Sequence, residues 1–207
     1  MTWSERLFDA FMAPLELSGF RDRRAALIPH AHGHVLEVGA GTGSNLAHYE
    51  PQRVESLTLT DLEPGALVTQ RLRRAHARWA GQVDTRLQHA DLMSLPFSSG
   101  SFDTVVVTLV LCSVPDQRQA VSEIRRVLKP DGRLVFLEHI RPQGRFGHVV
   151  DRVNPAWHAC NGECRINRRT VETIADAGFD VSATYSGAGL VAGGLATPSP
   201  SRTTALQ

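Results

Sequence analysis

Two textures alternate along the chain. Short apolar runs bounded by turn residues occupy 34–38, 56–60, 83–89, 102–109, 133–138, 180–185 and 190–196, and stretches with apolar positions three and four apart occupy 64–80, 117–127 and 170–177. The first kind reads as strands and the second as helices, with a further short helix over 44–49 after a glycine cluster. Their alternation predicts an α/β fold, a doubly wound sheet of parallel strands joined by crossover helices. Thr104-Val105-Val106-Val107-Thr108-Leu109-Val110 is continuously rather than alternately apolar, the mark of a central strand covered on both faces. In 117–127 the positions Ala120, Val121, Ile124 and Val127 form one face, and Lys129-Pro130-Asp131-Gly132 stops the helix and turns the chain into the next strand.

Two stretches stand outside that alternation. Residues 2–27 read as one or two amphipathic helices, with Leu7, Phe8, Phe11, Met12, Leu15 and Leu17 as apolar positions that need a surface to cover. Residues 141–169, rich in Pro, Gly, Asn, His and Trp, read as an irregular insertion, and loops longer than about 12–15 residues inside compact domains are usually functional. The Pro/Ser/Thr-rich stretch 197–207 reads as a frayed tail.

Composition narrows the class. A chain of 207 residues suits one core, and 42% hydrophobic with 21% charged residues is ordinary for a globular domain. No window approaches the roughly 20 apolar residues of a membrane helix, so no integral membrane segment is expected. The N-terminus mixes acid and base before any apolar run, unlike a secretory signal, which points to a cytoplasmic protein. Three cysteines, Cys112, Cys160 and Cys164, are too few for a disulfide framework and fit a reducing compartment. A net charge of +1 offers no electrostatic reason to expect nucleic acid, leaving a small molecule as the expected partner; nothing here speaks to oligomeric state.

The most specific local pattern is Val35-Leu36-Glu37-Val38-Gly39-Ala40-Gly41-Thr42-Gly43-Ser44-Asn45: an apolar strand, glycines at alternate positions, then a helix start. Glycine serves where backbone approaches a ligand closely, and the next helix offers unpaired amides, so a nucleotide-like ligand is expected across this turn. A dinucleotide fingerprint wants Gly or Ala where Ser44 stands, which weakens an NAD reading. Glu37 would repel a pyrophosphate but can accept from an ammonium group. Asp61, about 20 residues beyond the turn and beside Leu62, stands where a carboxylate accepts both ribose hydroxyls; Asp91 with Leu92 stands where an adenine would be read. Each has a plainer reading, the glycines as a tight turn, Asp61 as a helix cap and Asp91 as a loop residue, but the set at successive strand tips argues against coincidence.

Those residues, with Ala90-Asp91-Leu92, Leu95-Pro96-Phe97, Ser101-Phe102-Asp103 and Arg126-Val127-Leu128-Lys129-Pro130-Asp131-Gly132-Arg133, resemble the class I S-adenosylmethionine-dependent methyltransferases over about residues 20–140. The resemblance implies a Rossmann-like seven-stranded sheet, mostly parallel, with an antiparallel last strand inserted beside 180–185. It implies S-adenosylmethionine as cofactor, with Glu37, Gly39, Ala40, Gly41, Gly43, Asn45, Asp61, Leu62, Asp91, Leu92, Thr108 and Leu109 around it. Thr108-Leu109-Val110-Leu111-Cys112-Ser113-Val114, Leu137-Glu138-His139-Ile140, Asn154-Pro155-Ala156-Trp157-His158 and Gly162-Glu163-Cys164 are similar to the branch that methylates alkyl thiols, though this sequence lacks that branch's hydrophobic N-terminal membrane segment. One methyltransferase domain would then comprise N-terminal lid helices (1–30), a cofactor-binding core (31–140), an insertion over the acceptor (141–169), the last helix and strands (170–196) and a flexible tail (197–207).

A sulfonium is already an activated methyl donor, so little acid–base machinery is compulsory. A thiol acceptor must still lose its proton, and His139, at the tip of the fifth strand, and His158, beside Trp157, are the candidate catalytic bases; both also read as ordinary packed or backbone-bonded histidines. Cys112 reads as a packed thiol. Cys160 and Cys164 lack the second pair a structural zinc wants, and His30-Ala31-His32-Gly33-His34 lacks a carboxylate cluster, so no metal is expected. Acceptors other than thiols, namely lipid or quinone-like compounds, stay open, as does a non-catalytic module that only binds S-adenosylmethionine.

Overall fold

A computed structural model describes residues 19–161 and 164–199. Its strands are β1 (Gly33–Val38), β2 (Val54–Asp61), β3 (Asp84–His89), β4 (Phe102–Thr108), β5 (Leu128–His139), β6 (Phe179–Ser186) and β7 (Val191–Pro198). Its α-helices are α1 (Arg21–Leu27), α2 (Ala66–Arg78), α3 (Gln117–Val127), α4 (Gly144–Asn161) and α5 (Thr170–Asp176). The strands form one sheet in the order β3-β2-β1-β4-β5-β7-β6. Pairing is parallel from β3 through to β5, and β7 runs antiparallel between β5 and β6. The chain winds outward from β1 to β3 and then crosses back to β4, so β1 and β4 flank the switch point where open α/β sheets bind ligands.

Both faces of the central strands are covered, which is why their sequences do not alternate. Val105, Val106 and Val107 of β4 are all fully buried. Val106 packs with Val35, Leu57 and Leu59 against Val68, Leu72 and Ala75 of α2. Val105 and Val107 face the other way, with Leu36, Leu134 and Phe136, against Val121 and Ile124 of α3 and Ile174 of α5. The start of α3 is set by Asp116, whose carboxylate accepts the N–H groups of Arg118 and Gln119 at 2.9 and 3.1 Å.

Four expectations change. The stretch 141–169 is not irregular throughout: 18 of its residues form α4, with Pro155 inside the helix. Arg141 ties to Asp151 of this helix at 2.8–3.1 Å, and the Asn154 side chain accepts the Ile166 N–H at 3.0 Å, so contacts from either side hold a segment whose composition argues against a helix. The short helix after the glycines is a single 3-10 turn, Ser44–Ala47. β5 is already extended at Leu128, where Phe102 pairs with it across a register shift. Thr197 and Pro198 belong to β7, paired with Asp180 and Phe179, so the sheet runs into the expected tail.

Of the N-terminal amphipathic stretch, residues 1–18 lie outside the described residues, as do 200–207 of the tail; the described part is α1, preceded by Phe20, which packs on Leu137 and Val191 at the sheet edge. Among the described residues no helix is long and apolar enough to cross a membrane.

Candidate active site

The turn after β1 takes its shape from left-handed backbone. Gly39 has φ +65° and Gly41 φ +54°. A Cβ on Gly39 would stand 2.3 Å from Cγ2 of Val110, so the turn after β4 can sit against it only because that atom is missing. A Cβ on Gly41 would meet nothing within 4 Å, and Gly41 is one of the residues lining the adjacent cavity. Arg71 of α2 holds the turn from behind, donating to the carbonyl and hydroxyl of Thr42 at 3.0 Å each.

That cavity, of about 270 Å³, is lined by Val38, Gly39 and Gly41 from β1 and its turn, Asp61 and Leu62 from the tip of β2, Ala90, Asp91 and Leu92 from the tip of β3, and Leu109, Val110, Ser113, Val114 and Pro115 after β4. Asp61 already accepts the Gly41 N–H at 2.8 Å and the Glu63 N–H at 3.2 Å, one on each oxygen. Asp91 accepts the Met93 N–H at 2.8 Å through one oxygen. A carboxylate oxygen has two lone-pair directions, so both side chains retain acceptor capacity toward the cavity.

Glu37 does not line the cavity. It is fully buried behind the turn, where its carboxylate accepts from Asn45 Nδ2 at 3.0 Å and from the Tyr49 hydroxyl at 2.6 Å. Burial raises its pKa to about 7 against the lowering effect of these two donors. Asn45 also donates to the Thr108 hydroxyl at 3.1 Å, and the Arg24 guanidinium of α1 donates to Asn45 Oδ1 at 2.6 Å and to Thr108 Oγ1 at 2.9 Å. Glu37, Asn45 and Thr108 thus form a buried network under the cavity floor, closed by an arginine that no local sequence signal singles out.

The turn after β4 works differently. Leu109 has φ +59°, a backbone conformation that costs a non-glycine residue about 1–2 kcal/mol. The fully buried carboxylate of Glu138, at the end of β5, compensates by accepting three successive backbone N–H groups: Val110 at 2.9 Å, Leu111 at 3.0 Å and Cys112 at 3.2 Å. Burial pushes Glu138 to about 7, with the three amides and the neighbouring His139 pulling the other way.

A glycine turn, cavity-lining acids at the next two strand tips and a seven-stranded sheet with an antiparallel inserted strand form one pattern, and a family model described as "Methyltransferase domain" matches residues 36–136. These residues belong to a methyltransferase domain of the S-adenosylmethionine-dependent class. Among curated relatives the chain is similar to the thiol S-methyltransferase TMT1B of Homo sapiens, 33% identical over 153 residues that make up 70% of this chain and 59% of that protein. It is also similar to the demethylmenaquinone methyltransferase of Clavibacter sepedonicus, 34% identical over 117 residues, 56% of this chain and 45% of that one. The methyltransferase domain therefore spans less than two thirds of the relatives it matches. Its fold is shared with the YcgJ protein of Bacillus subtilis, at a TM-score of 0.64 and 22% identity, covering 79% of this chain and 70% of that one.

The two candidate bases fall in different places, and neither lines the cavity. His139, half-buried at the end of β5, has Nδ1 3.4 Å from Sγ of Cys164, and Phe20 stands edge-on to its ring at 5.9 Å. His158 lies on α4, with Nδ1 buried and without a hydrogen-bond partner among the described residues. Sγ of Cys164 lies 3.6 Å from that of Cys112, a residue 52 positions earlier in the chain. The contact with the Cys112 thiol and the neighbouring His139 imidazole draw Cys164 below the ordinary thiol range, while the same contact and burial push Cys112 well above it.

Proposed function

We propose that this domain binds S-adenosylmethionine across the glycine turn and transfers the methyl group to a small-molecule thiol. The observation that carries the reading is the convergence of Asp61, Asp91 and the open side of Gly41 on one cavity at the β1/β4 switch point, with Leu62, Leu92 and Leu109 as apolar walls. When bound, the cofactor supplies an electrophilic methyl on sulfonium sulfur. Asp61 accepts the ribose hydroxyls, Asp91 and Leu92 receive the adenine, and the backbone of Gly39, Ala40, Thr108 and Leu109 takes the methionine end. Glu37 and Asn45 act as positioning residues that keep Thr108 and the turn in place. His139, rather than His158, is the imidazole suited to draw off an acceptor's proton, since it ends a strand at the carboxyl edge of the sheet.

A thiol acceptor is supported by the similarity to thiol S-methyltransferases. A lipid or quinone-like acceptor draws on a different feature: Phe146, Val149 and Val153 of α4 are 43–50% exposed and leave apolar surface in solvent. A cytoplasmic, reducing setting is the one that keeps Cys112 and Cys164 as free thiols.

Calorimetry with S-adenosylhomocysteine tests the cofactor assignment. One-to-one binding is expected, weakened about 30-fold by Asp61→Ala, the equivalent of about 2 kcal/mol in charge-assisted hydrogen bonds. Binding of NAD with none of S-adenosylhomocysteine would overturn it. Labelled methyl transfer across thiols, quinols and amines then ranks the acceptors, and no turnover on any of them would favour a module that only binds the cofactor.

A further inference from the structure

Cys112, His139 and Cys164 follow β4, end β5 and follow α4, and the fold brings their donor atoms together beside the cofactor cavity. Sγ of Cys164 is 3.6 Å from Sγ of Cys112 and 3.4 Å from Nδ1 of His139, and all three atoms lie within 4.8 Å of one another. A tetrahedral zinc ion, bonded to sulfur at about 2.3 Å and to imidazole nitrogen at about 2.0 Å, sets its ligands about 3.8 Å apart for two sulfurs and about 3.5 Å apart for sulfur and nitrogen. Two of the three edges thus match to within about 0.2 Å. A disulfide, at about 2.05 Å, would need the sulfurs to close by roughly 1.5 Å more.

The backbone already holds the three side chains in place. The Cys112 N–H donates to Glu138 at 3.2 Å, and its carbonyl accepts the N–H of Arg165, the residue after Cys164, at 2.9 Å. His139 is fixed at the end of β5 by its pairing with Val191 of β7. Cys164 and His139 are only half-buried, which leaves an ion access to the cluster.

We propose that Cys112, His139 and Cys164 form a metal site of the zinc class, with three protein ligands and the fourth tetrahedral position open. Two thiolates and one imidazole neutralise a divalent ion, and a set of two sulfurs and one nitrogen selects zinc over hard cations. Ser113 and Val114, the two residues after Cys112, line the cofactor cavity, which sets the site next to the space where an acceptor would meet the donor. The ligand class that completes such a set is a thiol, whose proton leaves to solvent as its sulfur binds the metal; His139 then serves as a ligand and not as a base. This last step rests on the thiol methyltransferase reading, whereas metal binding does not.

Reduced, chelator-stripped protein titrated with Co(II) or Zn(II) alone, without donor or acceptor, tests the site. One ion per chain is expected, with the thiolate-to-cobalt charge-transfer absorption of a tetrahedral site. Cys164→Ser and His139→Gln should each weaken binding more than about 100-fold, beyond what loss of an outer-shell partner brings, with circular dichroism confirming the fold. Cys160→Ser should leave binding intact. No stoichiometric binding, or binding indifferent to Cys164→Ser and His139→Gln, would overturn the site; loss of binding in Cys160→Ser would overturn its open position. Adding an alkyl thiol to the cobalt form should shift the ligand-field bands. An unchanged spectrum would overturn thiol coordination alone, and failure to bind S-adenosylhomocysteine, measured separately, would count against the methyltransferase reading and not the metal site.

Discussion

The turns after β1 and β4 form facing walls of the same cavity, and both need left-handed backbone, yet they obtain it by opposite means. After β1 the chain uses glycine, at Gly39 with φ +65° and Gly41 with φ +54°. After β4 it places a leucine, Leu109, at φ +59°, and the backbone N–H groups of the next three residues are held by a buried carboxylate 29 positions along the chain, Glu138. One wall is shaped by the absence of a Cβ, the other by a contact between distant residues. The first takes its backbone conformation from its own residue type; the second depends on β5 being in register.

Breaking the second wall should have the largest effect. Glu138→Ala leaves the Val110, Leu111 and Cys112 amides without their acceptor, and at about 1–3 kcal/mol for each buried unsatisfied group a loss of about 4 kcal/mol is expected in chemical denaturation. A change under about 1 kcal/mol would mean that the carboxylate does not hold this turn. Gly39→Ala comes next. The added methyl forces left-handed strain and a clash with Val110, which stands 2.3 Å from the new atom, for an expected loss of about 3 kcal/mol. Val110→Ala in the same background should recover the clash but not the strain, and no recovery would show that the two walls do not lean on each other.

The third change reaches only the network behind the glycine wall. Burial first, opposed by the Tyr49 and Asn45 hydrogen bonds, raises Glu37 from 4.5 to about 7. Between those values the folded protein keeps a proton that the unfolded chain has released. The stability tied to that proton is therefore full below about pH 4.5 and is lost as pH rises through 7. Glu37→Gln carries a permanent neutral amide and removes this dependence, so thermal melts of the two proteins should agree near pH 4.5 and differ by about 3 kcal/mol in favour of the variant above pH 7. Parallel pH profiles would place the ionisation of Glu37 outside this window. Because Glu138 is unchanged, it drops out of the difference.

Legibility in the sequence divides along the same line. Gly39, Gly41, Asp61 and Asp91 could be found because each lies at a fixed offset from a strand whose apolar run announces it, and the central strands could be found because burial on both faces leaves β4 as an unbroken run of valines. The helix α4 was hidden because Gly144, Gly147 and Pro155 disfavour it locally and its ties to Arg141 and Ile166 lie outside it. Glu37 was legible as an acid at the strand end, but not its burial or its partners Asn45 and Tyr49, which lie 8 and 12 positions along the chain.

By itself, then, the sequence determined the order of strands and helices, the glycine turn and the two acids at the strand tips, because periodicity, chain reversal and positive φ are properties of neighbouring residues. Only the tertiary structure decided that Arg24 closes the network under the cavity floor, that Glu138 supports the opposite wall, and that Cys164 faces Cys112 and His139. Those contacts join residues 21–84 positions apart, and at such separations the partner is chosen by how the sheet is ordered and how its edges are covered, which no local spacing encodes.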